Sequence, residues 1–128
     1  MCTENTFLNF PDIQSTEIYD PAKNAWHYGP DVSEPMFGHC AVTLDEPGSK
    51  VLVIGGFATG LGTQDSTKLF DWNNQEWSDG GRMSVPRFRM TCMKATLSGK
   101  AVVVVAGGSN GDDTWNSVEI YDINTKAW

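Results

Sequence analysis

Five of the nine basic residues in this chain of 128, Arg82, Arg87, Arg89, Lys94 and Lys100, fall between Gly80 and Gly111, a stretch with no Asp or Glu. A guanidinium presents planar, paired donors that fit a carboxylate or a phosphate. The chain as a whole has a formal net charge of −7. That balance opposes binding to nucleic-acid backbones and leaves an acidic protein or peptide as the natural partner class. Other groups with chemical potential read differently. Tyr19-Asp20, Phe70-Asp71 and Tyr121-Asp122 imitate catalytic acid–aromatic pairs, but three copies at one spacing mark a scaffold. His27 and His39 lack the spacing of metal ligands, and there is no phosphate loop and no Cys-x-x-Cys pair. No catalytic residue, metal site or cofactor is expected.

The cysteines are odd in number, no Asn-x-Ser/Thr sequon occurs, and "MCTENTFLNFPDIQ" has neither the basic start nor the apolar core of a signal peptide. No apolar stretch is long enough to cross a bilayer. These features predict a soluble cytoplasmic protein without membrane partners, in which Cys40 and Cys92 are small buried residues rather than a redox pair.

The scaffold is a repeat. Asp20, Asp71 and Asp122 are 51 residues apart each time, as are Trp26, Trp77 and Trp128, while Gly55-Gly56 and Gly107-Gly108 are 52 apart. His39 and Thr91 each precede a Gly-Gly pair by 16 residues, and each is followed by a cysteine. A period near fifty points to stacked or radial repeats.

Each repeat reads as four short strands. "HCAVTL" and "TCMKATL" form the first, and "VLVIGG" and "AVVVVAGG" the second. The second strands are continuous apolar runs, the pattern of a strand covered on both faces. After a loop rich in Gly, Ser, Thr and Asp, "TKLFD" and "VEIYD" form the third, and the fourth opens at the tryptophan. The predicted strands lie near 39–44, 50–55, 67–72, 101–106 and 117–122. At the N-terminus "NTFLNF" stands where a Gly-Gly strand is expected. Paired glycines permit positive φ and let a neighbouring backbone approach. Tyr19, Phe70 and Tyr121, with Trp26, Trp77 and Trp128, are expected to wedge between adjacent sheets. Asp20, Asp71 and Asp122 are placed to accept hydrogen bonds from the amides of the following turn.

With Gly-Gly, Tyr-Asp and a tryptophan six residues on, repeated at about fifty residues from Ser15 onward, the sequence resembles the kelch repeat. The resemblance implies an all-β propeller of four-stranded blades around a central channel. Two departures stand out: Thr91 replaces the family's common His, which His39 keeps, and Trp72 occupies a position where proline is more usual. By strand count, residues 1–34 hold an N-terminal segment and the last two strands of an incomplete blade. Residues 35–86 hold a complete blade, and 87–128 a second blade stopped at its fourth strand. About two and a half blades are expected to be a fragment that leaves sheet edges open to self-association.

The loops from second to third strands, and those from a fourth strand to the next blade's first, share one end of the channel. "MSVPRFRM" resembles the inter-blade loop of the kelch adaptors of ubiquitin ligases, in which this end receives partner peptides. The resemblance makes Arg89 the ligand-facing arginine and Arg87 a structural brace. Arg82, with Asn110 and Asp112 of the loop "SNGDDTWN", completes the expected partner-binding set. The function implied is a protein-interaction module, as a substrate adaptor for ubiquitin ligation. The alternative is part of a propeller enzyme resembling galactose oxidase or a sialic acid epimerase.

Overall fold

The computed structural model describes residues 13–45 and 48–128, so "NTFLNF" lies outside the described residues. Among these residues there is no helix. β1 (Glu17–Asp20) pairs with β2 (Ala25–Tyr28). β3 (Cys40–Thr43), β4 (Lys50–Ile54), β7 (Ser66–Asp71) and β8 (Glu76–Arg82) form an antiparallel sheet in that order, with the small hairpin β5 (Phe57–Ala58) and β6 (Gly62–Thr63) between β4 and β7. β9 (Thr91–Leu97), β10 (Lys100–Ala106) and β11 (Val118–Asp122) form the last sheet, and a bridge from Asp122 to Ala127 starts its fourth strand. Within each sheet the spatial order follows the chain order, as in a propeller blade. The five predicted strands correspond to β3, β4, β7, β10 and β11, with no end displaced by more than one residue.

The second strands are buried as their composition requires. Leu52 and Ile54 of β4 are fully buried, as are Val103 and Val105 of β10. These four belong to one core with Leu44, Leu69, Met83 and Tyr121, formed between the facing sides of the middle and last sheets. Burying each such aliphatic side chain contributes about 1.5–3 kcal/mol. Neither sheet could hide these residues alone, so the blades stabilise one another.

Two of the three repeated aromatic pairs fill junctions between sheets, whereas the expected wedge of Tyr19 and Trp26 is not formed among the described residues. Tyr19–Trp26, Phe70–Trp77 and Tyr121–Trp128 each meet across a strand pair, with ring centroids 5.2, 5.0 and 5.3 Å apart. Tyr121 is fully buried and Phe70 is 8% exposed, because each faces the preceding sheet, whereas Tyr19 is 43% and Trp26 66% exposed. Trp77 also donates its indole N–H to the Pro30 carbonyl, 3.0 Å away in the chain that leaves the first sheet.

The aspartates close the turns. Asp20 accepts from the amides of Ala22 and Lys23, Asp71 from Asn73 and Asn74, and Asp122 from Asn124 and Thr125, at 2.9–3.3 Å. Each turn then passes through a left-handed residue, Asn24, Gln75 or Lys126. Trp72 replaces the usual proline where the backbone N–H is in use: it donates to the Ser49 carbonyl at 2.7 Å, and proline has no such donor.

Candidate protein-interaction surface

The loop end is built by the same backbone pairing in both blades. Phe37 exchanges two hydrogen bonds with Phe57 at 3.0 and 2.8 Å, and Phe88 does so with Ser109 at 2.9 and 3.0 Å. The glycine pairs make this approach feasible. Gly55, Gly56, Gly107 and Gly108 all have positive φ, and a Cβ on Gly108 would lie 2.9 Å from the Phe88 carbonyl oxygen. Four bonds tie the two blades together here: Gly56 N–H to the Arg87 carbonyl (2.8 Å), Arg87 N–H to the Gln64 carbonyl (3.1 Å), Arg89 N–H to the Gly38 carbonyl (2.7 Å), and Thr63 hydroxyl to the Asn110 carbonyl (2.8 Å).

The three arginines of "GRMSVPRFR" have different environments. Arg82, at the end of β8, is ion-paired with Asp65 and largely exposed. Arg87 is fully buried. Its guanidinium donates to the Gly107 carbonyl (2.7 Å), the Ser117 carbonyl (3.2 Å) and hydroxyl (2.7 Å), and the Glu119 carboxylate (3.1 Å). Glu119 also accepts the Ser84 amide at 2.6 Å. Burial, the largest influence on Glu119, pushes its carboxyl up, but the Ser84 and Arg87 hydrogen bonds and the Arg87 charge outweigh it and leave the pKa below the usual value.

Arg89 is exposed and makes no ion pair among the described residues. Its guanidinium lies 5.3 Å from the centroid of the Phe88 ring, within cation–π range. Its φ of 55° matches the left-handed φ of 65° at Gly38, its counterpart in the preceding blade. A non-glycine side chain in this region costs roughly 1–2 kcal/mol.

Phe88 in turn continues a row of rings. Phe37 and Phe57 are 5.3 Å apart and Phe57 and Phe88 5.9 Å apart, with Phe37 42% exposed. Asn110 follows Ser109, the backbone partner of Phe88, and its side-chain oxygen accepts from the amides of Asp112 and Asp113 at 3.0 and 2.7 Å. Asp112 is exposed in that turn. Arg82 and Arg89 lie at opposite ends of the loop that leads from an outer strand to the next inner one, and Arg82 already has an acidic neighbour in Asp65.

No protein-family model matches the chain. Individual relatives do. Kelch repeat-containing protein kel-10 of Caenorhabditis elegans is 27% identical over 121 residues, covering 90% of this chain and 20% of that protein. Kelch-like protein 7 of Rattus norvegicus is 28% identical over 116 residues, covering 91% of this chain and 18% of its own length. Over about nine-tenths of its length the chain is similar to kelch-repeat proteins. A kelch repeat and BTB domain-containing protein of C. elegans is 34% identical over 80 residues, or 62% of this chain and 14% of that protein. The chain thus spans about a fifth or less of the length of these curated relatives.

One expectation is overturned. Cys40 and Cys92 are joined by a disulfide between β3 and β9, the first strands of consecutive kelch blades. Both are half-buried rather than sealed in the core. By the 51-residue offset that relates Gly38 to Arg89, the counterpart of Cys40 is Thr91, so Cys92 lies one position out of step and points to the opposite face of its strand, which lets the two cysteines meet between adjacent blades. Cysteine usage therefore no longer argues for a reducing compartment. Among the described residues no helix is long and apolar enough to cross a membrane. Sequence reasoning also missed Phe37 and Phe57 as neighbours of Phe88, and Glu119 as the partner of Arg87.

Proposed function

We propose that the loop end of these kelch blades is a protein-interaction surface that receives an acidic segment of a partner, with Arg89 binding a carboxylate. The observation that carries this reading is the contrast among the arginines. Arg87 is consumed by the scaffold and Arg82 by Asp65, while Arg89 is exposed, unpaired among the described residues, and held in a left-handed conformation where the preceding blade uses glycine. Backbone strain of this kind is retained where a site uses it. The Phe37, Phe57 and Phe88 rings supply apolar surface beside the charge. The finer proposal is a substrate adaptor for ubiquitin ligation, supported by the likeness to Kelch-like proteins and to a BTB domain-containing relative.

The test is fluorescence anisotropy with labelled Asp/Glu-rich peptides and their Asn/Gln-matched controls. Arg89→Ala is expected to weaken binding of the acidic peptide by about 1–3 kcal/mol, the range for a charged hydrogen bond, with little change in melting temperature. Arg89→Gly is expected to lose the same affinity while raising stability by about 1 kcal/mol as the left-handed strain is relieved. Equal losses from Arg82→Ala and Arg89→Ala, both abolished by salt, would mean a diffuse basic patch with no arginine site.

A further inference from the structure

We propose that Cys40–Cys92 is a reversible thiol–disulfide site, opened by a dithiol reductant, that clamps two adjacent blades together. The two cysteines are 52 residues apart in sequence with Cα atoms 6.1 Å apart, and the whole middle part of the complete blade, β4 to β8, lies between them. β3 and β9 belong to different sheets and share no backbone ladder. The hydrogen bonds that cross the junction beside them, Gly56 to Arg87, Arg87 to Gln64, Arg89 to Gly38 and Thr63 to Asn110, lie at the loop end. Cys40 follows Gly38 by two residues and Cys92 follows Arg89 by three, so the bond anchors the two segments that those loops continue into.

Accessibility separates this bond from a purely structural staple. The neighbours of the cysteines across the ladders, Ile54 opposite Cys40 and Val105 opposite Cys92, are fully buried. The cysteines themselves are half-buried, because β3 and β9 are edge strands of their sheets. An incoming thiolate can therefore attack one sulfur without unfolding the core. That Cys sulfur–sulfur bond breaks, one cysteine leaves as a thiolate, and a mixed disulfide forms on the other. The second thiol of the reductant then displaces the remaining cysteine. The pair gains two electrons and two protons, and the dithiol departs as its own disulfide. Glutathione disulfide reverses the exchange.

Reduction removes the restraint on a 52-residue loop, and the melting temperature is expected to fall by about 10 °C. The experiment uses the full chain with Cys2→Ser, which removes the third thiol, in oxidised form and after dithiothreitol without denaturant. Peptide mapping under non-reducing conditions is expected to recover Cys40 and Cys92 in one linked fragment. Dithiothreitol is expected to open it, with the drop in melting temperature and a tenfold or greater rise in hydrogen exchange at the Gly56 and Arg89 amides. Glutathione disulfide is expected to restore both. Cys40→Ser/Cys92→Ser should show the reduced values and no response to dithiothreitol; should that variant fail to fold, the dithiothreitol comparison decides alone. Absence of the linked fragment, a bond reduced only after unfolding, or reduction that leaves melting and exchange unchanged would each overturn the proposal. None of these readouts depends on a binding partner.

Discussion

Replacing Arg87 by Met should be among the most damaging single changes in the chain, and adding Glu119→Lys should repair most of the damage. The two preceding-blade counterparts, 51 residues upstream, are Met36 for Arg87 and Lys68 for Glu119. Arg87 is fully buried and Glu119 has 13% of its side chain exposed. Arg87→Met would therefore leave a carboxylate with one backbone amide from Ser84 and no cation. Breaking a buried pair by removing one partner costs about 3–5 kcal/mol, against a total stability of about 5–15 kcal/mol for a typical domain. In the double variant the stranded charge is gone, the Gly107 and Ser117 acceptors lose a donor, and the exposed Ser84 amide loses the Glu119 carboxylate and turns to water, for about 1–2 kcal/mol. The coupling between the two substitutions should be about 2–3 kcal/mol. Urea unfolding of the four proteins of the cycle measures it. The preceding blade shows the same logic in reverse: Ser66, the counterpart of Ser117, has a buried hydroxyl without a hydrogen-bond partner, where Met36 offers no donor. A double variant as unstable as Arg87→Met would refute the claim that the stranded Glu119 charge is the main cost.

Two further predictions concern carboxylates. Glu119 has a folded pKa below its usual value of 4.5, so its stabilising contribution is present above that pH and is lost as pH falls through the lower folded value; Glu119→Gln should flatten the acid limb of stability against pH, measured by denaturant titration from pH 7 to 2. At Asp71, Asn should nearly preserve stability because its side-chain oxygen can still accept the Asn73 and Asn74 amides, whereas Ala should cost about 1–2 kcal/mol by calorimetry, and equal effects of Asn and Ala would show that those bonds contribute nothing.

The repeat and its strands were legible in the sequence because both are local. A continuous apolar run such as "VVVV" has one stable use in a short segment, the turn Asp recurs with its tryptophan six residues on, and Gly-Gly fixes where a strand ends. Those patterns placed β3, β4, β7, β10 and β11 to within a residue and put Tyr121 and Phe70 at blade junctions. What joins residues across blades was not legible. Cys40 and Cys92 were read as separate small residues, because spacing along a chain does not say that two edge strands of different sheets face each other. The partner of Arg87 could be found only by comparing Met36 and Lys68 with Arg87 and Glu119, since the pairing spans 32 residues. The row of Phe37, Phe57 and Phe88 likewise comes from three separate segments. Periodicity records the face a side chain takes within its own sheet; the angle and distance at which the next blade arrives depend on how the fully packed core settles, and that decided which residues meet.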